Sequence, residues 1–298
     1  MKVVHHNPGA KVAFVFAHPS TSYADHFLSE ALRERGVGVL NVDGRYVGDA
    51  HDLSFHDAAL DVARAIDAHV SKDTKVVLTG HSGGASLLAL AHVRLGVGDR
   101  IALLAAHPSR AHILQDWIDP LTYLDGERPK PPFSSAFVAT YRRAQRARIH
   151  AIAEQASKHL REGNPDAPVH FPHACADLRF VDRTLDANAR GGFPFGDPAV
   201  VNERTDFFGG WTTARSFLDQ WYLPTTTANG IALAPFLRGP VLHLIFEADA
   251  LVFPSQSALW TRALPDASVD VIRGAAHNPR GQESIVRDLA ERLLAFTA

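Results

Sequence analysis

Gly80, His81, Ser82, Gly83 and Gly84 follow directly on the apolar run from Val76 to Thr79 and open a stretch of helical periodicity. A serine is thereby placed at the tip of a strand-to-helix turn. There the backbone is strained, the hydroxyl stands exposed above the sheet, and small neighbours at 80 and 84 leave room for the turn. The amide of Gly83, at the helix start, can donate to a developing oxyanion. A serine hydroxyl is a poor nucleophile without a base. The pattern therefore calls for a histidine, and for a carboxylate to orient it, in the chain order Ser, Asp or Glu, His.

Both occur further along. The apolar run Val241 to Phe246 leads into Glu247, Ala248 and Asp249, and Val269 to Ile272 leads into Gly274, Ala275, Ala276 and His277. Each group falls at the C-terminal edge of a predicted strand, where open α/β sheets keep their ligand crevice. Ser82 is thus the expected nucleophile and His277 its base. Asp249 is preferred as the orienting acid because it lies in the loop just beyond the strand, ahead of Phe253-Pro254, with Glu247 as the competing carboxylate. A second oxyanion donor is expected after the first strand, in His18-Pro19-Ser20-Thr21. Pro19 has no amide hydrogen, which leaves the backbone of Ser20 or Thr21. His107, at the end of another strand, and Trp211 and Trp221 in the middle of the chain are candidate substrate contacts.

These residues need a scaffold that brings distant segments to one edge. Lys11 to Ala17, Val37 to Val42, Lys75 to Thr79, Ile101 to Ala106, Pro240 to Phe246 and Ser268 to Ile272 read as buried strands. Ala24 to Arg35, Phe55 to Val70, Gly83 to Leu95, Ser257 to Ala263 and Ser284 to Phe296 read as the helices between and after them. The alternation predicts an α/β fold with a mostly parallel central sheet and helices on both faces. Residues 110–238 differ in composition, with Trp117, Trp211, Trp221, many prolines and a long amphipathic segment from Ser134 to Arg161. A structureless loop of that length is improbable in a compact domain, so the stretch is expected to be an inserted helical cap between core segments 1–109 and 239–298.

Composition narrows the class of partner. The 30 Lys and Arg balance 32 Asp and Glu, so no field or basic block would gather nucleic acid or an anionic membrane. No apolar run reaches the length of a membrane span, and the N-terminus lacks a signal peptide's apolar stretch. The single cysteine, Cys175, permits no internal disulfide. A soluble, cytoplasmic protein acting on a small molecule is expected, and its oligomeric state is left open. His170, His173 and Cys175 lack regular ligand spacing, so neither metal nor cofactor is expected. The arginines at 142, 143, 146 and 148 read as a solvated helix face.

The whole set resembles the α/β-hydrolase superfamily. Gly-His-Ser-Gly-Gly at 80–84 is the strongest match, and Glu-Ala-Asp at 247–249 with Ala-His-Asn at 276–278 completes the order of that superfamily's triad. Ala17-His18-Pro19 stands where many members carry His-Gly, and Asp43-Gly44-Arg45-Tyr46 where many carry an Asp-x-Arg-Gly turn. The chain is also similar to capped bacterial hydrolases with an Arg-Tyr turn after the second strand, an Ala-His-Pro after the strand following the elbow, and a Trp-containing lid. Serine at 82 argues against the haloalkane dehalogenase and epoxide hydrolase branches, whose members use aspartate there. The resemblance implies an esterase-like serine hydrolase for small or medium apolar esters. A carbon–carbon bond hydrolase or an acyltransferase would use the same triad, and a ligand-binding protein could keep the fold without activity.

Overall fold

The computed structural model describes residues 1–117, 132–170, 184 and 211–298, with residues 115–117 as backbone only. They form two compact units, one of residues 1–49, 53–109 and 227–298, the other of residues 50–52 and 110–226.

The first unit is built on a seven-stranded sheet in the order β1-β3-β2-β4-β5-β8-β9. Its strands are β1 (Lys2–His6), β2 (Val12–His18), β3 (Gly38–Asp43), β4 (Lys75–His81), β5 (Arg100–Leu104), β8 (Val241–Phe246) and β9 (Ser268–Ile272). All neighbours pair in parallel except β1, which runs antiparallel to β3 at one edge. Helices α1 (Ser29–Arg33), α2 (Phe55–His69), α3 (Gly84–Leu95), α7 (Gly230–Leu233), α8 (Pro254–Ala263) and α9 (Glu283–Ala295) complete it. Helices cover both faces of the sheet, which is why its central strands read as unbroken apolar runs rather than as alternating ones. Phe14, Phe16, Val77, Leu104, Leu244 and Phe246 share one core with Leu28, Leu32, Leu289 and Leu293. Ala13, Val15, Leu40, Leu78 and Leu103 are equally buried at the alternate positions of the same strands.

Two features depart from the sequence reading. The helix expected over Ala24–Arg35 is reduced to Ser29–Arg33. Asp43 at the end of β3 explains this, because it takes the Tyr23 amide at 2.7 Å and the Ser22 hydroxyl at 2.5 Å, pinning the chain in a non-helical path. The edge strand β1 was not anticipated, since His5 and His6 break any apolar pattern there.

The second unit holds α4 (Arg110–Trp117), α5 (Ser135–Arg161), β6 (Pro168–His170), β7 (Trp211–Thr213) and α6 (Ala214–Trp221). Ser134 caps α5 and Thr213 caps α6 through their hydroxyls. Leu114, Ile149, Ala153, Ala156, Phe217 and Trp221 form its separate core. Among the described residues no helix is long and apolar enough to cross a membrane.

The turn after β4 depends on close backbone approach. A methyl group on Gly80 would lie 2.4 Å from Ala85 Cα, and one on Gly84 would lie 2.3 Å from the Ala17 carbonyl oxygen. Both contacts are with backbone and cannot yield cheaply. Gly80→Ala and Gly84→Ala are each expected to cost roughly 1–3 kcal/mol, read as a lowered urea midpoint; an unchanged midpoint would contradict the packing described.

β8 carries a second stability device. His243 is fully buried, with its ring nitrogens 3.1 Å from the Thr261 hydroxyl and 3.0 Å from the Ser257 hydroxyl. Burial lowers its pKa from 6.5 to about 4. The unfolded chain therefore takes up this proton first, and stability is lost as pH falls through 6.5 towards 4, by roughly 3 kcal/mol for this one group. His243→Gln should flatten the pH dependence of the urea midpoint across that window, and an unaltered slope would remove His243 from the account.

Candidate active site

Ser82 follows β4 with φ at +56°, a left-handed conformation rare for a residue with a side chain. Its amide donates to the Leu104 carbonyl at 3.0 Å and its carbonyl accepts from the Ala85 amide at 3.2 Å, so the turn is tied to both the neighbouring strand and the following helix. The side chain is half-buried at the start of α3. The amide of Gly83 is one of those a helix start leaves without an intrahelical partner.

Asp249 and His277 meet across the loops that follow β8 and β9. Asp249 Oδ2 lies 2.7 Å from His277 Nδ1, and Asp249 is fully buried. The other carboxylate oxygen accepts the amides of Leu251 and Val252, each at 2.8 Å. A carboxylate at Oδ2 requires the proton on Nδ1 of the ring, which leaves His277 Nε2 with its lone pair. Glu247 has a different task. It is exposed, and its carboxylate accepts the Gly274 amide at 3.0 Å, linking the two loops without reaching the imidazole. Of the two competing carboxylates, Asp249 is the one brought to His277. Among the described residues the Ser82 hydroxyl makes no hydrogen bond to His277 in this structure, and such catalytic contacts often close only around substrate.

Three residues to which the sequence reading gave no role of their own hold this arrangement. Gln282, just ahead of α9, accepts the Ala276 amide at 3.1 Å and donates to the Gly274 carbonyl at 2.8 Å, clamping the loop that carries His277. The His81 ring lies 4.8 Å from that of His277, tilted by 33°, and its Nε2 lies 2.8 Å from the His277 carbonyl. A carbonyl only accepts, so Nε2 carries the proton. Tyr23 stands behind, its hydroxyl 3.1 Å from His81 Nδ1 and 2.9 Å from the His81 carbonyl. Burial above all, then the proximity of His277, drives the His81 pKa well below its ordinary value. His81 is therefore neutral, and places no charge beside the His277 ring. His26, beneath the same cluster, is held neutral by burial and, less, by Arg280, with a pKa of about 3.

The loop after β2 differs from expectation. The amides of Ser20 and Thr21, anticipated as oxyanion donors, are both directed at His18 Nδ1, at 3.2 Å and 2.8 Å. The His18 ring folds back under its own loop and takes up both donors. His18 and Asp43 together fix the loop, and Asp43 was legible only as part of a turn motif.

His107 is buried after Ala105, which itself has a φ of +43°. A methyl on Gly83 would lie 3.4 Å from His107 Nε2, so this ring reaches the residue next to Ser82. Trp221, anticipated as a substrate contact, is instead a core residue of the second unit: it is only 3% exposed and packs within that unit's apolar cluster, with the Arg110 guanidinium over its ring. Its size made it conspicuous, but its place on the inner face of α6 decides its role. Trp211 is 43% exposed, and its ring packs at a tilt 4.6 Å from that of His170 across the β6–β7 ribbon. His173 and Cys175 lie outside the described residues, and among those described no group of side chains could hold a metal ion.

Comparison with known proteins places this geometry in context. No curated protein sequence matches the chain. Solved structures do. A monoacylglycerol lipase of Paleococcus ferrophilus is similar with a TM-score of 0.55 and 17% identity, over 99% of this chain and 98% of that one. A thermophilic esterase of Thermogutta terrifontis has a TM-score of 0.50 and 16% identity, over 99% and 93%. A peroxisomal alpha-beta-hydrolase of Saccharomyces cerevisiae has a TM-score of 0.51 and 16% identity, over 98% and 78%. At such identities the likeness is one of fold. The sequence profile of the Alpha/beta hydrolase family matches residues 14–288, nearly the whole chain, and with the sheet order and strained serine turn described above the protein belongs to that family.

Proposed function

We propose that the protein is a serine hydrolase that cleaves carboxylic esters of small or medium apolar substrates through an acyl-enzyme. The observation that carries this reading is the buried Asp249 carboxylate, 2.7 Å from His277 Nδ1, in the same unit as a serine strained at the mouth of α3. With its Nδ1 proton committed to Asp249, His277 presents Nε2 as a base. In the proposed sequence it takes the Ser82 proton as Oγ attacks the ester carbonyl, and the resulting imidazolium is stabilised by Asp249. The Gly83 amide donates to the oxyanion of the tetrahedral intermediate. As that intermediate collapses, His277 returns the proton to the departing alkoxide. Water then adds to the acyl-enzyme as His277 takes one of its protons, and His277 passes that proton to Ser82 Oγ as the second tetrahedral intermediate collapses and the acid leaves. The esterase and lipase among the similar structures are consistent with this chemistry and do not specify the ester. Within the stretch read as a cap, residues 110–226 of the second unit are the part of the chain to which we assign the choice of acyl or alcohol group.

Ser82→Ala removes one half-buried hydroxyl without a core contact, so kcat/KM for short p-nitrophenyl esters should fall roughly 10³-fold or more while the thermal midpoint is kept. Most of the activity surviving in that variant would sink the assignment.

Asp249→Asn tests the orienting role. Its Oδ1 can still accept the Leu251 and Val252 amides, so the loop is preserved, but the side-chain NH2 would face His277 Nδ1 and enforce the wrong tautomer. A loss of roughly 10³-fold or more in kcat is expected, against a small change for Glu247→Gln; the reverse order would give the role to Glu247.

A further inference from the structure

The loop after β2 assigns a hydrogen-bond donor that its backbone does not supply. His18 Nδ1 receives the amides of both Ser20 and Thr21, at 3.2 Å and 2.8 Å. An amide N–H only donates, so Nδ1 must offer a lone pair, and the ring is neutral with its remaining proton on Nε2. A protonated Nδ1 would oppose two donors at once. The tautomer of His18 is thus fixed by its own loop, and that loop is fixed in turn by Asp43 through Ser22 and Tyr23.

The position of Nε2 follows from Gly83. A methyl on that glycine would sit 2.9 Å from His18 Nε2 and 3.6 Å from His18 Cδ2, so the Nε2 edge of the ring lies against the α-carbon of the residue after Ser82. This contact also gives Gly83 its reason to be glycine, distinct from the backbone approaches at Gly80 and Gly84. The ring is buried, and its loop is held by side chains as well as backbone, which is what a preorganised donor requires.

We propose that His18 is a catalytic residue of the ester hydrolase. Its Nε2–H, against the Gly83 α-carbon, would join the Gly83 amide as the second donor to the oxyanion, in place of the Ser20 or Thr21 backbone. His18 keeps its proton throughout: it donates a hydrogen bond to the negative oxygen and releases it when the carbonyl re-forms. The proposal rests on the serine-hydrolase reading, and a wild-type enzyme whose ester turnover is abolished by Ser82→Ala must be in hand before it is tested. Failure at that first step overturns the hydrolase reading, whereas failure at the next overturns only the role of His18.

The test compares a p-nitrophenyl ester with its thionoester, in which sulfur replaces the carbonyl oxygen and accepts hydrogen bonds poorly. His18→Ala should lower kcat on the oxoester by roughly 10²-fold or more with little change in KM, and lower it far less on the thionoester. Equal losses on the two substrates, or kcat on the oxoester within a few-fold of wild type, would overturn the proposal. A measurement on the unaltered enzyme covers the case in which His18→Ala does not fold. In 15N-histidine-labelled protein, the His18 ring, identified by the signals lost in His18→Gln, should show the Nε2–H tautomer. Its Nε2 proton should shift downfield when a trifluoromethyl ketone forms the tetrahedral adduct on Ser82. An Nδ1–H tautomer, or a His18 signal indifferent to the adduct, would show that the ring only braces its loop.

Discussion

The hydrogen bond between Asp249 and His277 is the interaction on which the proposed chemistry depends. A carboxylate with no exposure to solvent is costly unless its oxygens are satisfied, and here the Leu251 and Val252 amides and the His277 ring satisfy them. The same bond selects one of the two tautomers of His277 and leaves Nε2 with the lone pair that the proposed mechanism uses as a base. Around it, β8 and β9 are paired in parallel, so that the loops at their C-terminal ends lie side by side. The Glu247–Gly274 contact and the Gln282 clamp hold those loops together. The sheet contributes position; the loops contribute proton geometry.

Imidazole rings recur around Ser82, and hydrogen bonding gives each its state. Asp249 places the proton of His277 on Nδ1, the His277 carbonyl places that of His81 on Nε2, and the Ser20 and Thr21 amides place that of His18 on Nε2. Burial keeps His81 and His26 uncharged. In the proposed mechanism the proton taken from Ser82 then rests on His277, the ring that Asp249 faces, beside two rings that burial keeps uncharged. A cluster of histidines without these partners would titrate together and lose that distinction.

The sequence carried the frame of this arrangement because the frame follows from local patterns. Strands buried on both faces leave continuous apolar runs, and the observed bounds of β8 and β9 fall within a residue of those read from them. The Gly-x-Ser-x-Gly turn was legible because no other residue fits where the Gly80 and Gly84 α-carbons meet backbone. Asp249 could be preferred over Glu247 from its place in the loop. What escaped was set by contacts between distant segments. The short α1 reflects the pull of Asp43 on Ser22 and Tyr23. The diversion of the Ser20 and Thr21 amides depends on the rotamer of His18, and the clamp by Gln282 on a loop whose shape no local rule predicts. The place of Trp221 is not legible for the same reason: a large aromatic residue suits a pocket wall or a small core equally well until the helix face it occupies is known.

In the proposed mechanism Ser82 is the activated nucleophile. Its most direct test is reaction of the folded protein with a fluorophosphonate, followed by intact-mass measurement and peptide mapping. The account predicts one adduct per chain, on the peptide carrying Ser82, with loss of labelling when the protein is unfolded before reaction. No adduct, or an adduct on another residue in a protein that hydrolyses esters, would contradict it.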